Sequence, residues 1–379
     1  MKKELELYFH IPFCVRKCLY CDFLSGVADD ETKHKYMGAL LAETAGSAFQ
    51  YGDYRVVTIF IGGGTPSIVS EDDIEELLTT VKEKYVLAED VEVTIEVNPG
   101  TVNLAKLSHY FQCGINRLSI GLQSAHNDEL ASIGRIHTWE QFQGTYRDAR
   151  KAGFTNVNVD IMNSLPGQDL AKYQKTLEKV LALEPTPEHI SAYSLILEEG
   201  TLLYDHYEKG LLELPDEETD RKMYQETGRI LSQKGYDRYE ISNYARKGRQ
   251  CRHNCGYWRR SSYAGFGIGA ASLVNNVRFK NSTDLKRYIA HPLQCREEIQ
   301  VLSQREQMEE FMFLGLRMTE GVSCEEFEQL FGCTMEEVYG QVIHKNICDG
   351  LLKETGKGRI FLTDKGVDLS NYVMAQFLN

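Results

Sequence analysis

No apolar run in this sequence approaches the roughly 18 residues that a bilayer-crossing helix needs; the longest, such as residues 56–61, fall far short. A transmembrane segment is therefore not expected. The first residues alternate charged and apolar side chains as a strand does and lack the apolar core of a secretory signal, so the expected location is cytoplasmic. Basic charge is in deficit: 42 Lys+Arg face 55 Asp+Glu, a net charge of −13, which argues against a protein built mainly to grip nucleic acid. Internal repeats and low-complexity stretches are missing as well. What is present is a chain of 379 residues, 42% apolar and 26% charged, long enough for two or three domains with a large core. It also has ten cysteines. In a reducing compartment these are not expected to form a disulfide framework, and the reading is metal ligands beside buried apolar thiols.

Six short β-branched or aromatic runs, at 5–11, 56–61, 91–97, 117–122, 157–161 and 189–196, alternate with amphipathic stretches at 30–52, 71–87, 104–113, 138–152 and 170–183. Repeated strand-then-helix predicts an α/β fold with a parallel sheet, open or closed into a barrel, whose ligands sit at the carboxyl ends of the strands. Residues 1–200 form this first domain. Residues 201–295 read as an α+β elaboration of it, rich in Tyr and Gly, and 296–379 as a small winged-helix-like domain. That last segment holds 8 Lys+Arg against 15 Asp+Glu, a local net of −7, which disfavours DNA binding and favours packing or a partner-facing role.

The strongest chemical signal is Cys14-Val-Arg-Lys-Cys18-Leu-Tyr-Cys21, directly after the first strand. Thiolates suit iron–sulfur clusters and zinc. Three thiolates within eight residues can wrap one [4Fe–4S] cubane and leave its fourth iron open. Paired C-x2-C motifs at two loci, the common zinc pattern, are missing, although a zinc site completed by a distant His or Cys stays open.

Tyr8-Phe-His-Ile-Pro-Phe-Cys14 with this cysteine run resembles the radical S-adenosylmethionine superfamily, in its branch of oxygen-independent coproporphyrinogen III oxidase-like proteins. The resemblance covers nearly the whole chain. It implies a partial (β/α)6 TIM-like barrel, a [4Fe–4S] cluster on Cys14, Cys18 and Cys21, and S-adenosylmethionine chelated at the open iron. In that superfamily the reduced cluster splits the sulfonium bond to give a 5′-deoxyadenosyl radical. Ile61-Gly62-Gly63-Gly64-Thr65-Pro66 matches the family's glycine-rich loop, and Gly63, Gly64 and Thr65 are expected at the methionine end of the cofactor. Tyr8, Tyr20, Glu96, Gln123, Arg135 and Asp160 complete the implied pocket; a carboxylate can accept from an ammonium or ribose hydroxyl, and Gln or Arg can bind oxygens. His10 reads as support for the cluster loop.

The family's dehydrogenases carry a fourth cysteine two residues after the third, where this chain has Phe23, and a longer amino-terminal segment than the seven residues before Tyr8. Both differences, and His253-Asn254-Cys255-Gly256-Tyr257-Trp258, match instead the related HemW-type haem chaperones. That likeness implies haem as cargo, haem-receiving proteins such as respiratory haem proteins as partners, no catalytic residue to assign, and His253 as a haem ligand. The runner-up is coproporphyrinogen III oxidase activity in porphyrin biosynthesis. Arg246, Lys247, Arg249, Arg252, Arg259 and Arg260, with no acid between them, read as partners for porphyrin propionates or as a solvated basic loop. A metal on Cys251, His253 and Cys255 is a further alternative. One departure stands out: the usual Gly-Leu-Pro-Gly-Gln stretch is Ser164-Leu-Pro-Gly-Gln168 here. Cys113, Cys295, Cys324, Cys333 and Cys348 are expected in the core. A homodimer is left open.

Overall fold

The computed structural model describes residues 2–378. Its first two hundred residues alternate β1 (Lys3–Ile11), α1 (Asp30–Ser47), β2 (Tyr54–Gly63), α2 (Glu71–Lys84), β3 (Leu87–Val97), α3 (Leu104–Gln112), β4 (Arg117–Gln123), α4 (Asn127–Ser132), α5 (Trp139–Lys151), β5 (Val157–Asn163), α6 (Leu170–Leu181) and β6 (His189–Ser194). The six strands pair in parallel in chain order. Leu5, Leu7, Phe9 and Ile11 on one face of β1 are fully buried, and Glu6 and His10 on the other face are buried too, so the strand is covered on both faces. Five of the six helices between these strands start from a side chain that satisfies an orphan amide, namely Asp29 for α1, Ser70 for α2, Asn103 for α3, a Thr138–Gln141 capping box for α5 and Asp169 for α6, while α4, which follows His126, has no side-chain cap. The stretch expected to be helical over 30–52 ends at Ser47 and continues as a short 3-10 turn.

The elaboration holds α7 (Leu202–Glu208), α8 (Glu217–Gln233), β7 (Asp237–Arg238), β8 (Asn243–Ala245), α9 (Arg252–Trp258), β9 (Tyr263–Phe266), β10 (Ala271–Val274), β11 (Val277–Asn281), α10 (Leu285–Ala290) and β12 (Arg296–Val301). These strands extend the sheet at both ends. β9 joins β1 in parallel, and β10, β11 and β12 follow it antiparallel. At the other edge β6 pairs with β8 rather than with β1, so the barrel stays open.

α11 (Gln304–Gly315), β13 (Val322–Ser323), α12 (Cys324–Phe331), α13 (Met335–Cys348), β14 (Leu352–Glu354) and β15 (Arg359–Leu362) follow. With their three-stranded sheet they build the winged-helix-like unit around a core that includes Met312, Phe327, Tyr339 and Phe377. Because β12 belongs to the large sheet, this unit starts after Val301 rather than at 296. It is locked to the elaboration by buried Glu310, which accepts from Arg260 (2.7 Å) and Arg278 (2.6 Å), and by the Arg317 guanidinium 4.2 Å from the centre of the Trp258 ring. Cys113 and Cys295 are buried as expected, Cys324 and Cys333 are half-buried, and Cys348 is exposed on the solvent side of the last turn of α13, whose inner side is taken by buried Asn346. Among the described residues no helix is long and apolar enough to cross a membrane.

Candidate cofactor site at the carboxyl mouth of the barrel

The three cysteines sit on the loop between β1 and α1, and the loop is tied back at several points. Pro12 ends the strand, Gly26 donates to the Pro12 carbonyl (2.8 Å), and Cys14 donates to the Gly26 carbonyl (2.9 Å). Leu19 donates to the Ile133 carbonyl (3.0 Å) and its own carbonyl accepts from Leu203 (2.9 Å). Burial lowers the His10 pKa, so its ring is neutral. Its Nε2 lies 2.8 Å from the Leu24 carbonyl, which can only accept, so Nε2 carries the proton and Nδ1 accepts from the Tyr8 hydroxyl at 2.9 Å. The Tyr8–His10 pair thus holds the loop from beneath.

Cys14, Cys18 and Cys21 are half-buried at one mouth. The Thr65 hydroxyl is 3.5 Å from Cys14 Sγ, and Arg135 Nη1 is 3.7 Å from Cys18 Sγ. Burial pushes the Cys21 thiol pKa up. The three sulfurs do not gather within 4.8 Å of one another. A single tetrahedral zinc, with bonds of about 2.3 Å, would need them to. A cubane, which takes each thiolate on a different iron, needs them spread. Two further features fit a polar ligand here. The Arg135 Nε is buried without a partner. Gly64 leaves a cradle: a Cβ there would stand 2.7 Å from the Phe13 carbonyl oxygen and 3.0 Å from Cys14 Sγ. Gly64→Ala is therefore expected to push the cysteine loop outward and lower the iron and sulfide retained after anaerobic reconstitution, with circular dichroism unchanged.

The wall beyond the thiols is polar. Glu96, at the end of β3, accepts from the Gly63 amide (3.0 Å), and burial together with neighbouring Asp160 raises its pKa to about 8. Burial also raises that of Asp160, while its bonds from Asn158 (2.7 Å) and Ser119 (3.2 Å) oppose the shift. Gln123 closes β4 with φ 74, a left-handed conformation that a non-glycine residue adopts at a cost and that turns the chain at the pocket edge. Gly63, Gly64, Thr65, Tyr20, Glu96, Gln123, Arg135 and Asp160 all line this pocket with the three cysteines. Tyr8 does not line it and acts from below through His10. Asn98 is a lining residue that the sequence reading missed: its amide donates to Thr65 Oγ1 (2.8 Å) and its carbonyl accepts from Arg135 Nη2 (2.7 Å). Its place just past β3, before Pro99, was the available signal.

His253 lies elsewhere. It is buried under the barrel wall, stacked on Phe60 (5.1 Å), with Nδ1 2.7 Å from Thr58 Oγ1 and Nε2 3.0 Å from the Tyr257 hydroxyl. Both ring nitrogens are engaged, so the expected axial ligation of haem iron is not offered by this conformation. The basic segment is also partly spent: Arg252 pairs with Asp90, Arg259 with Glu320 and Arg260 with Glu310. Cys251, His253 and Cys255 do not converge on a metal position. The cavity beside this segment, of about 830 Å³, opens at the amino ends of the strands and mixes Arg249, Arg252 and Arg259 with Glu4, Glu6, Asp90, Glu92 and Glu320. Ser164, the departure from the family's glycine, has φ 60, and its hydroxyl donates to Asp220. The side chain thus recovers locally part of what the left-handed backbone costs.

Comparison with known proteins agrees with this geometry. Residues 8–180 match the model of the radical SAM superfamily, and residues 302–369 match the HemN C-terminal domain. The chain is 38% identical to the heme chaperone HemW of Lactococcus lactis, over all of this chain and 98% of that one. It is 35% identical to the heme chaperone HemW of Bacillus subtilis, over 98% of each. The fold superposes on coproporphyrinogen III oxidase (HemN) of Escherichia coli with a TM-score of 0.86 at 24% identity, covering 99% of this chain and 90% of that one. Such full-length identity, joined to the radical SAM match and the three-cysteine loop, means that the chain belongs to the HemW family of the radical SAM superfamily.

Proposed function

We propose that this protein is a haem chaperone that holds a [4Fe–4S] cluster on Cys14, Cys18 and Cys21, binds S-adenosylmethionine in the pocket between Gly63 and Asp160, and passes haem to haem-receiving proteins. The observation that carries the reading is the full-length likeness to HemW relatives in a chain whose cysteine loop and polar wall share one mouth. When bound, the cluster and its cofactor supply one-electron chemistry at the sulfonium. The chain's own residues bind and orient. Glu96 would accept from the ligand's amino group, Arg135 and Asn98 hold one another at the pocket edge, and the Gly63–Gly64 backbone would admit the ligand closely.

The mouth also suits haem, a flat apolar ring bearing two propionates. Phe23, Val15, Val27 and Ile136 are 63%, 57%, 72% and 53% exposed, an unusual amount of apolar surface to leave in water beside a polar pocket. Arg16 and Lys17 stand on the same loop, with their hydrogen bonds going to the carbonyls of Gly134 and Phe23 rather than to carboxylates. Haem docked on this rim meets apolar contact and two cations. The test is haemin titration of the anaerobically reconstituted protein, followed by mixing with an apo haem protein. Saturable binding weakened by Arg16→Glu with Lys17→Glu, and transfer of haem to the acceptor, are expected. Turnover of coproporphyrinogen III to protoporphyrinogen would overturn the chaperone reading.

A pH signature follows from Glu96. With its carboxyl half-ionised near pH 8, it is mostly protonated at pH 7, and the positive charge of a bound sulfonium ligand lowers its pKa. S-adenosylmethionine binding at pH 7 should therefore release a proton from Glu96 beyond any that the amino group gives up at iron; this excess should vanish well above pH 8, and Glu96→Gln should lower the release by that excess. Calorimetry in buffers of different ionisation enthalpy reads this directly.

A further inference from the structure

Helices α2 and α3 lie side by side, and their contact carries a residue group outside the cofactor mouth. His109 and Cys113 stand one turn apart at the end of α3, and Glu75 faces them from α2. His109 Nε2 is 2.9 Å from Glu75 Oε2, and the imidazole nitrogen, the thiol sulfur and the carboxylate oxygen all lie within 4.8 Å of one another. Among the described residues this is the one group of three or more His, Cys, Asp and Glu side chains so arranged.

We propose that Glu75, His109 and Cys113 form a second metal site, distinct from the cysteine loop, that takes Zn²⁺ and clamps α2 to α3. Zinc accepts N, S and O ligands together, with bonds of about 2.0–2.3 Å, so ligand atoms settle roughly 3.5 Å apart. The group needs only a small closure to reach that. Cys113 is 8% exposed while Glu75 is open to solvent, which leaves the fourth position to water. Binding deprotonates the Cys113 thiol, whose proton leaves to solvent, and moves the His109 proton from Nε2 to Nδ1 as Nε2 turns from Glu75 to the metal. Asp72 adds negative charge nearby. Lys82 opposes it, but its ammonium is held on the Cys113 carbonyl at 2.7 Å. Lys106 is occupied by Glu71 at 3.6 Å. A buried thiol beside an imidazole and a carboxylate, which apolar packing alone does not require, thereby acquires a role.

The test uses full-length protein with its cluster loaded, so that Cys14, Cys18 and Cys21 are occupied. Zinc is titrated against a chromophoric chelator. One zinc per chain is expected, with a single sulfur neighbour in zinc-edge X-ray absorption. His109→Ala and Cys113→Ser should each weaken zinc at least about tenfold while keeping the cluster's absorption. Glu75→Gln, at an exposed position with no folding cost, should weaken it as well. Failure of the wild type to retain zinc, or wild-type affinity in Glu75→Gln and His109→Ala together, overturns the proposal.

Discussion

Cys18→Ser is expected to yield a folded protein that, after anaerobic reconstitution with iron and sulfide, shows none of the broad visible absorption of a [4Fe–4S] cluster. The loop can lose one thiol without collapsing because its shape does not depend on sulfur. It is set by the Pro12–Gly26 and Cys14–Gly26 backbone bonds, by Leu19 bonding to Ile133 and Leu203, and by His10 on the Leu24 carbonyl. The cluster, in contrast, has no spare ligand nearby. Position 23 is phenylalanine, and the remaining cysteines belong to other parts of the fold. Arg135 adds to the effect: its Nη1 lies 3.7 Å from Cys18 Sγ, so serine also removes the group this buried guanidinium faces. Unchanged absorption in Cys18→Ser would place the ligands elsewhere.

Much of this mouth was legible because its residues announce themselves locally. Cysteines at three- and two-residue spacings, three consecutive glycines after a strand, and polar residues closing apolar runs at Glu96, Gln123 and Asp160 each carry their signal within a few positions. The parallel sheet was legible for the same reason, since strands buried on both faces read as short apolar runs between amphipathic helices. What could not be read depends on residues distant in sequence. β9 lies beside β1, and nothing near residue 263 marks that pairing. Asn98 gains its place from Thr65 and Arg135, and Tyr8 acts through His10 rather than in the pocket. Three of the six basic residues between 246 and 260, Arg252, Arg259 and Arg260, looked unopposed because their carboxylates come from Asp90, Glu320 and Glu310, far along the chain.

His253→Ala is expected to cost about 3–5 kcal/mol of stability, a large-to-small loss in a packed interior compounded by orphaned hydroxyls, and to leave haem affinity unchanged at temperatures where the variant stays folded. The imidazole is fully enclosed, stacked on Phe60 at 5.1 Å and set edge-on to Tyr257 at 4.8 Å. Its removal leaves Thr58 Oγ1 and the Tyr257 hydroxyl without the ring nitrogens they now meet. A ligand for haem iron needs a free nitrogen at a surface; here iron would have to break one of these bonds and enter the barrel wall. Acid supplies an independent readout. Burial lowers the His253 pKa from 6.5 to about 3, so between those values the unfolded chain binds a proton that the folded chain refuses. This histidine's contribution is therefore complete above pH 6.5 and is lost progressively as pH falls toward 3. Urea unfolding across that range should give a wild-type stability that declines on acidification and a shallower decline in His253→Ala. Loss of the haem Soret change in a variant that remains folded would return the axial role to His253 and require the barrel wall to open around it.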